Sequence, residues 1–128
     1  MDLKEENAIG GDPASHWYYI SKGRAIKSML DGAPVRELLD VGAGSGVFSK
    51  MLINLGLASR STCVDPFYQD DFLDAQCNDA ISFTKSIEQT NADTVIMLDV
   101  IEHVDDDVAL MREYVQMAPS GTRFLISV

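Results

Sequence analysis

Short apolar runs alternate along this chain with longer segments in which apolar residues recur at helical spacing. Short runs bounded by turn residues predict strands, and a continuous run predicts a strand that is buried on both faces of a parallel sheet. The predicted strands are Val35–Val41, Ser61–Asp65, Ala80–Lys85, Thr94–Leu98 and Thr122–Val128. Because strands alternate with helices, we expect an α/β fold: a doubly wound, Rossmann-like parallel sheet with helices on both faces.

Three segments have the periodicity of helices. The first is His16–Leu30, whose apolar residues fall on one face. The second follows a glycine-rich turn and ends at Gly56, a residue type that favours helix C-termini. The third begins at Asp105–Asp107, where acids complement the helix dipole, and continues to Met117. The stretch Phe67–Ala80 is weakly patterned, so a helix and loops both remain open there.

A motif of alternate glycines follows the first predicted strand, with the spacing Asp-x-Gly-x-Gly-x-Gly from Asp40 to Gly46. Glycine lets the backbone turn sharply or lets another molecule approach it closely. Open α/β sheets bind nucleoside-containing cofactors at a glycine loop that connects a strand to the following helix. The motif is not a dinucleotide-binding fingerprint, because Val47 stands where that fingerprint has Gly or Ala. It is not a P-loop either, because no Lys-Ser/Thr pair follows Gly46.

The motif resembles the first motif of the class I S-adenosylmethionine-dependent methyltransferases, with Asp40, Gly42, Gly44 and Gly46 in its four defined positions. The resemblance implies the strand order 3-2-1-4-5 and S-adenosyl-L-methionine as the cofactor. It also implies transfer of a methyl group to a small-molecule O, N or C acceptor. Family members have two further strands after the fifth, so we expect this chain to be a piece of a longer protein, incomplete at its C-terminus.

An acid also ends the second predicted strand. The carboxylate of Asp65 has two oxygens, which can accept hydrogen bonds from both hydroxyls of a ribose, and the resemblance implies the same role. Pro66 and Phe67 are expected to contact the adenine ring. Family members often place an acid for the adenine amino group after the third strand, but Thr84–Glu88 has no Asp there. We therefore expect Ser86 or a neighbouring backbone group to make that contact.

The segment after the fourth predicted strand resembles the acid-x-x-Glu-His-Val motif of many methyltransferases. By that resemblance, Asp99 and Val100 lie beside the methionyl and methyl end of the cofactor. His103 is the candidate catalytic base, because an unperturbed imidazole has a pKa of about 6.5. A structural role, with the ring bonded to backbone, is the alternative for His103. Asp99, Glu102 and His103 also suggest a metal site, because some relatives bind a divalent metal through Glu-x-x-Glu-His and a later histidine. His16 is the only other histidine here, so the later ligand would belong to the expected missing region, and no metal ligand is assigned.

The remaining predicted contacts lie on the glycine loop and the first helix. Asp40 is expected to order the loop amides and to help hold the cofactor's α-ammonium group. The resemblance suggests an N-terminal helix that acts as a lid, with a tyrosine near the methyl group. Tyr18 and Tyr19 both stand at a suitable separation from Asp40, and Tyr19 is the predicted one. Lys22, Arg24 and Lys27 are either solvated or directed at the cofactor carboxylate. The predicted cofactor-binding residues are Asp40, Gly42, Ala43, Gly44, Gly46, Asp65, Pro66, Ser86, Asp99, Val100 and Tyr19.

Composition narrows the class of protein. The chain has 128 residues, enough for one domain, which we place at residues 16–128 behind a flexible segment 1–15. Its formal net charge of −10 disfavours nucleic acid and anionic membranes as partners. Its first residues are acidic and polar, unlike a signal peptide, and no apolar run reaches membrane-spanning length. The two cysteines lack metal-binding spacing, so a reduced, cytoplasmic protein is expected. An open edge at the fifth strand suggests pairing with another copy.

Two other functions remain open at this point. An aminopropyl transferase uses the same cofactor fold, and an excess of acids suits a polyamine substrate. A methyltransferase-like module that binds the cofactor without catalysis is the alternative outside the enzymes. The sequence does not distinguish sugar, quinone-precursor and amino-compound acceptors.

Overall fold

The computed structural model describes residues 10–12, 15–70, 72–73 and 77–128. All five strands of its single sheet are parallel, in the order β3-β2-β1-β4-β5. Their bounds are β1 Val35–Val41, β2 Ala58–Val64, β3 Ile81–Thr84, β4 Thr94–Leu98 and β5 Arg123–Ser127. The predicted fold class and strand order are thereby confirmed. The first and last residues of β4 are as predicted, and all five of its residues are buried.

One helix precedes β1, and further helices follow β1 and β4. The helices with defined bounds are α1 Trp17–Leu30, α2 Val47–Asn54, a 3₁₀ turn Ile101–His103 and α3 Asp107–Met117. His16 precedes α1 as its N-cap, where its side chain accepts a hydrogen bond from the Tyr18 amide. Asp106 has the same role at α3, accepting from the Ala109 amide at 2.8 Å. Each cap satisfies an amide that has no partner within the helix.

Neighbouring residues of the central strands point into different apolar layers. On one face of the sheet, Leu38 of β1 and Ile96 of β4 pack against α1 and α2. On the other face, Leu39 and Val95 pack against α3, where Tyr114 is buried. The alternation follows from the two-residue period of a strand. Both faces are therefore covered by helices, and the ends of the strands remain accessible.

Several predicted boundaries change. The strand β2 begins at Ala58, three residues before the predicted start, because the polar residues that follow it are exposed and break the apolar pattern. The strands β3 and β5 are one residue shorter at each end than predicted. Part of the predicted lead-in (residues 1–9 and 13–14) and part of the weakly patterned stretch (residues 71 and 74–76) lie outside the described residues.

The two cysteines have different environments, and both are free thiols. Cys63 on β2 is buried, and burial raises its pKa to about 12. Cys77 is exposed and lies before β3, where its Sγ accepts a hydrogen bond from the Phe83 amide at 3.3 Å. In the described part of the chain, every helix is too short or too polar to cross a membrane.

Candidate functional site

The glycine loop takes a backbone conformation that other residues rarely adopt. Gly42, Gly44 and Gly46 have φ angles of 66°, 55° and 71°, in the left-handed region. A Cβ on Gly42 would lie 2.6 Å from the Val100 side chain, and one on Gly46 would lie 2.9 Å from the Phe83 ring. The loop therefore needs glycine for its backbone angles and, at these two positions, for close packing.

Asp65 connects the glycine loop to the end of β2. It is only 7% exposed, and its Oδ2 accepts a hydrogen bond from the Gly44 amide at 3.3 Å. Its Oδ1 accepts from the Phe67 amide at 3.0 Å. The carboxylate is thus fixed between two backbone segments, while lone pairs of both oxygens remain for further donors.

A cavity of about 620 Å³ opens at the carboxyl ends of β1 to β4. Its lining includes these predicted site residues: Gly42, Asp65, Pro66, Ser86, Asp99, Val100 and His103. Phe67, which was expected at the adenine, also lines it and is 80% exposed. Sequence reasoning missed Lys85 and Tyr114 on the same lining. Seven predicted residues from four separate segments therefore meet around one space of ligand size.

Asp40 lies away from this cavity, which corrects its predicted place. Its side chain shares the face of β1 that packs on α2, and its Oδ2 accepts a hydrogen bond from Ser49 Oγ at 2.7 Å. Ser49 Oγ in turn lies 2.8 Å from Ser61 Oγ. Burial raises the pKa of Asp40 to about 6, although the bond from Ser49 opposes that shift. Ala43, Gly44 and Gly46 are also buried behind the cavity wall.

Asp99 is held by side chains of α1. Its carboxylate accepts hydrogen bonds from Tyr18 Oη and Lys22 Nζ, and from Ser127 Oγ at 3.3 Å. Lys22 Nζ also donates to Tyr18 Oη at 2.9 Å. Partial burial opposes ionisation of Asp99, but the hydrogen bonds from Lys22 and Tyr18 outweigh it and lower the pKa. Asp99 has a φ of 56°, which only glycine, Asn and Asp tolerate readily.

A family model for the methyltransferase domain matches residues 16–128. The chain belongs to this methyltransferase family. No curated protein matches it at a significant level. The structure is similar to the N-methyltransferase NodS from Bradyrhizobium japonicum in complex with S-adenosyl-L-homocysteine, with a TM-score of 0.69 and 15% identity over 88% of this chain. At such identity the likeness shows the fold.

Two other solved structures agree with this result. Human N-acetylserotonin methyltransferase in complex with S-adenosylmethionine has a TM-score of 0.66 and 18% identity over 85% of this chain. A methyltransferase from an antibiotic biosynthesis pathway of Anabaena variabilis has a TM-score of 0.63 and 22% identity over 84%. The methyltransferase chain described here spans 62% of NodS, 34% of the human enzyme and 45% of the Anabaena protein.

The cofactor of this methyltransferase family is S-adenosylmethionine, which confirms the predicted cofactor at the level of the family. The geometry of the cavity fits that group. Gly42 places backbone atoms on the lining, and Asp65 presents a fixed carboxylate at the end of β2. Pro66 and Phe67 add an apolar surface beside it. Apolar walls with a few placed polar groups are typical of cofactor sites.

The first helix brings Tyr18 and Lys22, and not Tyr19, to Asp99 at the border of the cavity. Tyr19, expected near the methyl group, is 3% exposed and packs in the core against Phe48, with ring centroids 5.7 Å apart. Its neighbour Tyr18 reaches Asp99 instead, because successive helix residues point about 100° apart. Lys22 stands one turn after Tyr18 on the same face, and that spacing was the available signal for the pair.

His103 lies on the 3₁₀ turn after β4 and lines the cavity with an exposed side chain. Its amide donates to the Val100 carbonyl at 3.0 Å, which fixes the turn. In the described residues no group of three or more His, Cys, Asp or Glu is arranged to hold a metal ion. Asp99, one residue of the metal alternative, is directed at Lys22 and Tyr18.

Proposed function

We propose that this chain is the cofactor-binding portion of an S-adenosylmethionine-dependent enzyme that methylates a small-molecule O, N or C acceptor. One observation carries the proposal: a single cavity is lined by Gly42 at the start of the glycine loop, by Asp65, and by Asp99, Val100 and His103 after β4. These three regions are the ones expected to contact the methionyl part, the ribose and the methyl group of the cofactor. The net charge of −10 favours a neutral or cationic acceptor over nucleic acid.

The roles of the residues follow from their positions on the lining. Asp65 accepts hydrogen bonds from the ribose hydroxyls with lone pairs that the Gly44 and Phe67 amides leave unused. Pro66 and Phe67 contact the adenine, and Ser86 lies on the same side of the cavity, after β3. The backbone at Gly42 faces the methionyl part.

The cofactor supplies an electrophilic sulfonium methyl group. The protein's task is to align an acceptor with that methyl at near-attack distance and to keep water out. Asp99 and Val100 border the space where that end lies, and His103 is exposed on the lining nearby. His103 takes a proton from a hydroxyl or ammonium acceptor, whereas a neutral amine or an activated carbon needs no base. The small acceptor named for one structural neighbour, N-acetylserotonin, supports the acceptor class.

Calorimetric titration with S-adenosyl-L-homocysteine tests the cofactor site, with NAD as the control ligand. We expect the first to bind and the second not to bind. Asp65→Ala should weaken binding by about 1–3 kcal/mol, the range for losing the partner of buried polar groups. Asp79→Ala, at an exposed position outside the cavity lining, is the matched control and should leave the affinity unchanged. Unchanged affinity of Asp65→Ala would exclude Asp65 from the site.

Turnover assays distinguish the alternatives. Methyl transfer to a panel of small hydroxyl, amine and carbon acceptors supports the proposal. Transfer of an aminopropyl group from the decarboxylated cofactor to a polyamine would replace it. Cofactor binding with neither reaction, tested on the longest natural chain that contains this domain, would favour a non-catalytic binding module.

A further inference from the structure

A second cavity, of about 810 Å³, lies between α1 and α2. None of its lining residues belongs to the lining of the first cavity, so the two are separate spaces within the described chain. Cavities of a few hundred to a thousand Å³ are the size of small-molecule sites. The cofactor and the proposed chemistry do not use this space. We call it the α1–α2 cavity.

The floor of the α1–α2 cavity is apolar. Tyr19 and Phe48 contribute two rings in contact, and Val47 and Met51 extend the surface along α2. Gly23 on α1 also lines the cavity, and a Cβ there would lie 2.6 Å from Met51 Sδ. The two helices therefore approach closely at this point. An apolar body of ring or chain type would find a preformed surface here.

The rim of the same cavity is positively charged. Arg24 and Lys27 project from α1, and Lys50 lies on α2. Asp12 is the only acidic residue on the lining within the described chain. The chain has 20 acids and 10 bases, so a lining with three bases and one acid reverses its overall balance. Among the described residues, neither Arg24 nor Lys27 forms an ion pair.

We propose that the α1–α2 cavity binds a small molecule with an apolar body and an anionic group such as a carboxylate or sulfonate. The apolar floor takes up the body, and the cations at Arg24 and Lys27 pair with the anionic group at the rim. The net negative charge of the chain repels anions from the rest of its surface, so an anionic ligand is attracted selectively to the positively charged rim. Ser45 of the glycine loop also lines the cavity, so the ligand lies behind the loop that forms the wall of the cofactor cavity.

Fluorescence titration with anilinonaphthalene sulfonate tests the proposal, with neutral phenylnaphthylamine as the matched probe. Arg24→Gln/Lys27→Gln should raise the Kd of the sulfonate about three- to tenfold, the range expected for two exposed charge contacts. The Kd of the neutral probe should change less than about twofold, because exposed charges act on it weakly. Arg60→Gln/Arg112→Gln removes the same charge from exposed positions outside this cavity and should leave both values unchanged.

A second pair of variants tests the location without removing a base. Ile20→Glu places an acid on the rim and should weaken sulfonate binding, whereas Val115→Glu makes the same change on α3, outside the cavity, and should not. Thermal melts establish that each variant is folded. Any of three results would overturn the proposal. The sulfonate could bind equally well to the variants of each pair, the neutral probe could bind as tightly as the sulfonate, or S-adenosyl-L-homocysteine could displace the sulfonate.

Discussion

Asp40 and Asp99 stand near the same edge of the sheet, at the ends of the neighbouring strands β1 and β4, in opposite environments. Asp40 is 3% exposed, and its carboxylate accepts a hydrogen bond from the Ser49 hydroxyl, which in turn lies beside the Ser61 hydroxyl. Asp99 is partly exposed and accepts from an ammonium group and two hydroxyls. The pKa of Asp40 is raised to about 6, while that of Asp99 is lowered.

The difference shows which effect dominates at each site. Burial disfavours the charged form of both carboxyls, but its weight is greatest at Asp40, where a single bond from Ser49 opposes it. At Asp99 a cation and several donors outweigh a smaller burial effect. Desolvation and local charge are independent causes of a pKa shift, and the Lys22 ammonium with its accompanying donors is present at Asp99 but not at Asp40. One carboxyl belongs to the interior, and the other joins α1 to the sheet.

The largest expected effect is the dependence of the free energy of unfolding on pH, which Asp40 should change. Because the pKa of Asp40 rises from 3.8 to about 6 on folding, its contribution to stability is complete below 3.8 and is lost as the pH rises through about 6. Asp40→Asn removes this dependence. Relative to the parent protein, its free energy of unfolding should therefore increase by about 3 kcal/mol between low and neutral pH, at about 1.4 kcal/mol per pKa unit.

Urea unfolding of both proteins from about pH 3 to 8 measures this difference, since the other titrating groups are common to the two and cancel. The side-chain amide of Asn still offers an oxygen to Ser49 Oγ, so the hydrogen bond is kept. A constant difference across the pH range would mean that Asp40 titrates normally and that the contrast with Asp99 is smaller than described.

Removal of the charge at Asp99 should have the second largest effect. Asp99→Asn keeps a residue that tolerates the left-handed backbone but leaves the Lys22 ammonium without its counter-charge, at 15% side-chain exposure. We expect a loss of about 2 kcal/mol in the free energy of unfolding, as for hydrogen bonds to charged groups. Asp70→Asn, in the exposed pair with Lys85, is the control and should show no measurable loss. Equal losses would reduce Asp99 to an ordinary surface acid.

The smallest effect concerns the shared hydroxyl. Tyr18→Phe should cost about 1 kcal/mol, since one partly buried hydrogen bond donor is lost. Because Tyr18 Oη bonds both Lys22 and Asp99, Tyr18→Phe and Lys22→Met should not be additive. A double-mutant cycle should give a coupling of at least about 0.5 kcal/mol. Strict additivity would show that the three groups act as separate contacts.

The sheet was predictable from the sequence because its signals are local. The apolar run of β4 and the glycine spacing after β1 each lie within a few residues, and parallel topology then brings the strand ends together. The face of the sheet on which the Asp40 side chain lies could not be predicted from the sequence. Leu38 and Leu39 are both apolar because β1 is buried on both faces, so the pattern does not tell which face meets α2.

The partners of Asp99 were not predictable for a different reason. Tyr18 is 81 residues away in the chain, and Lys22 is 77 residues away. Their meeting depends on how α1 packs across the sheet, which no local pattern encodes. The spacing from Asp40 suits Tyr18 and Tyr19 equally, so the choice between these adjacent residues depends on the rotation of the helix about its axis.

The contrast between the two thiols makes the chain ready for site-selective chemistry. Alkylating reagents react with the thiolate, and the burial that raises the pKa of Cys63 to about 12 removes both its thiolate and its access to reagent. Cys77 is exposed. One equivalent of a maleimide dye should therefore modify Cys77 alone, giving a spectroscopic reporter beside β3 in the unaltered sequence.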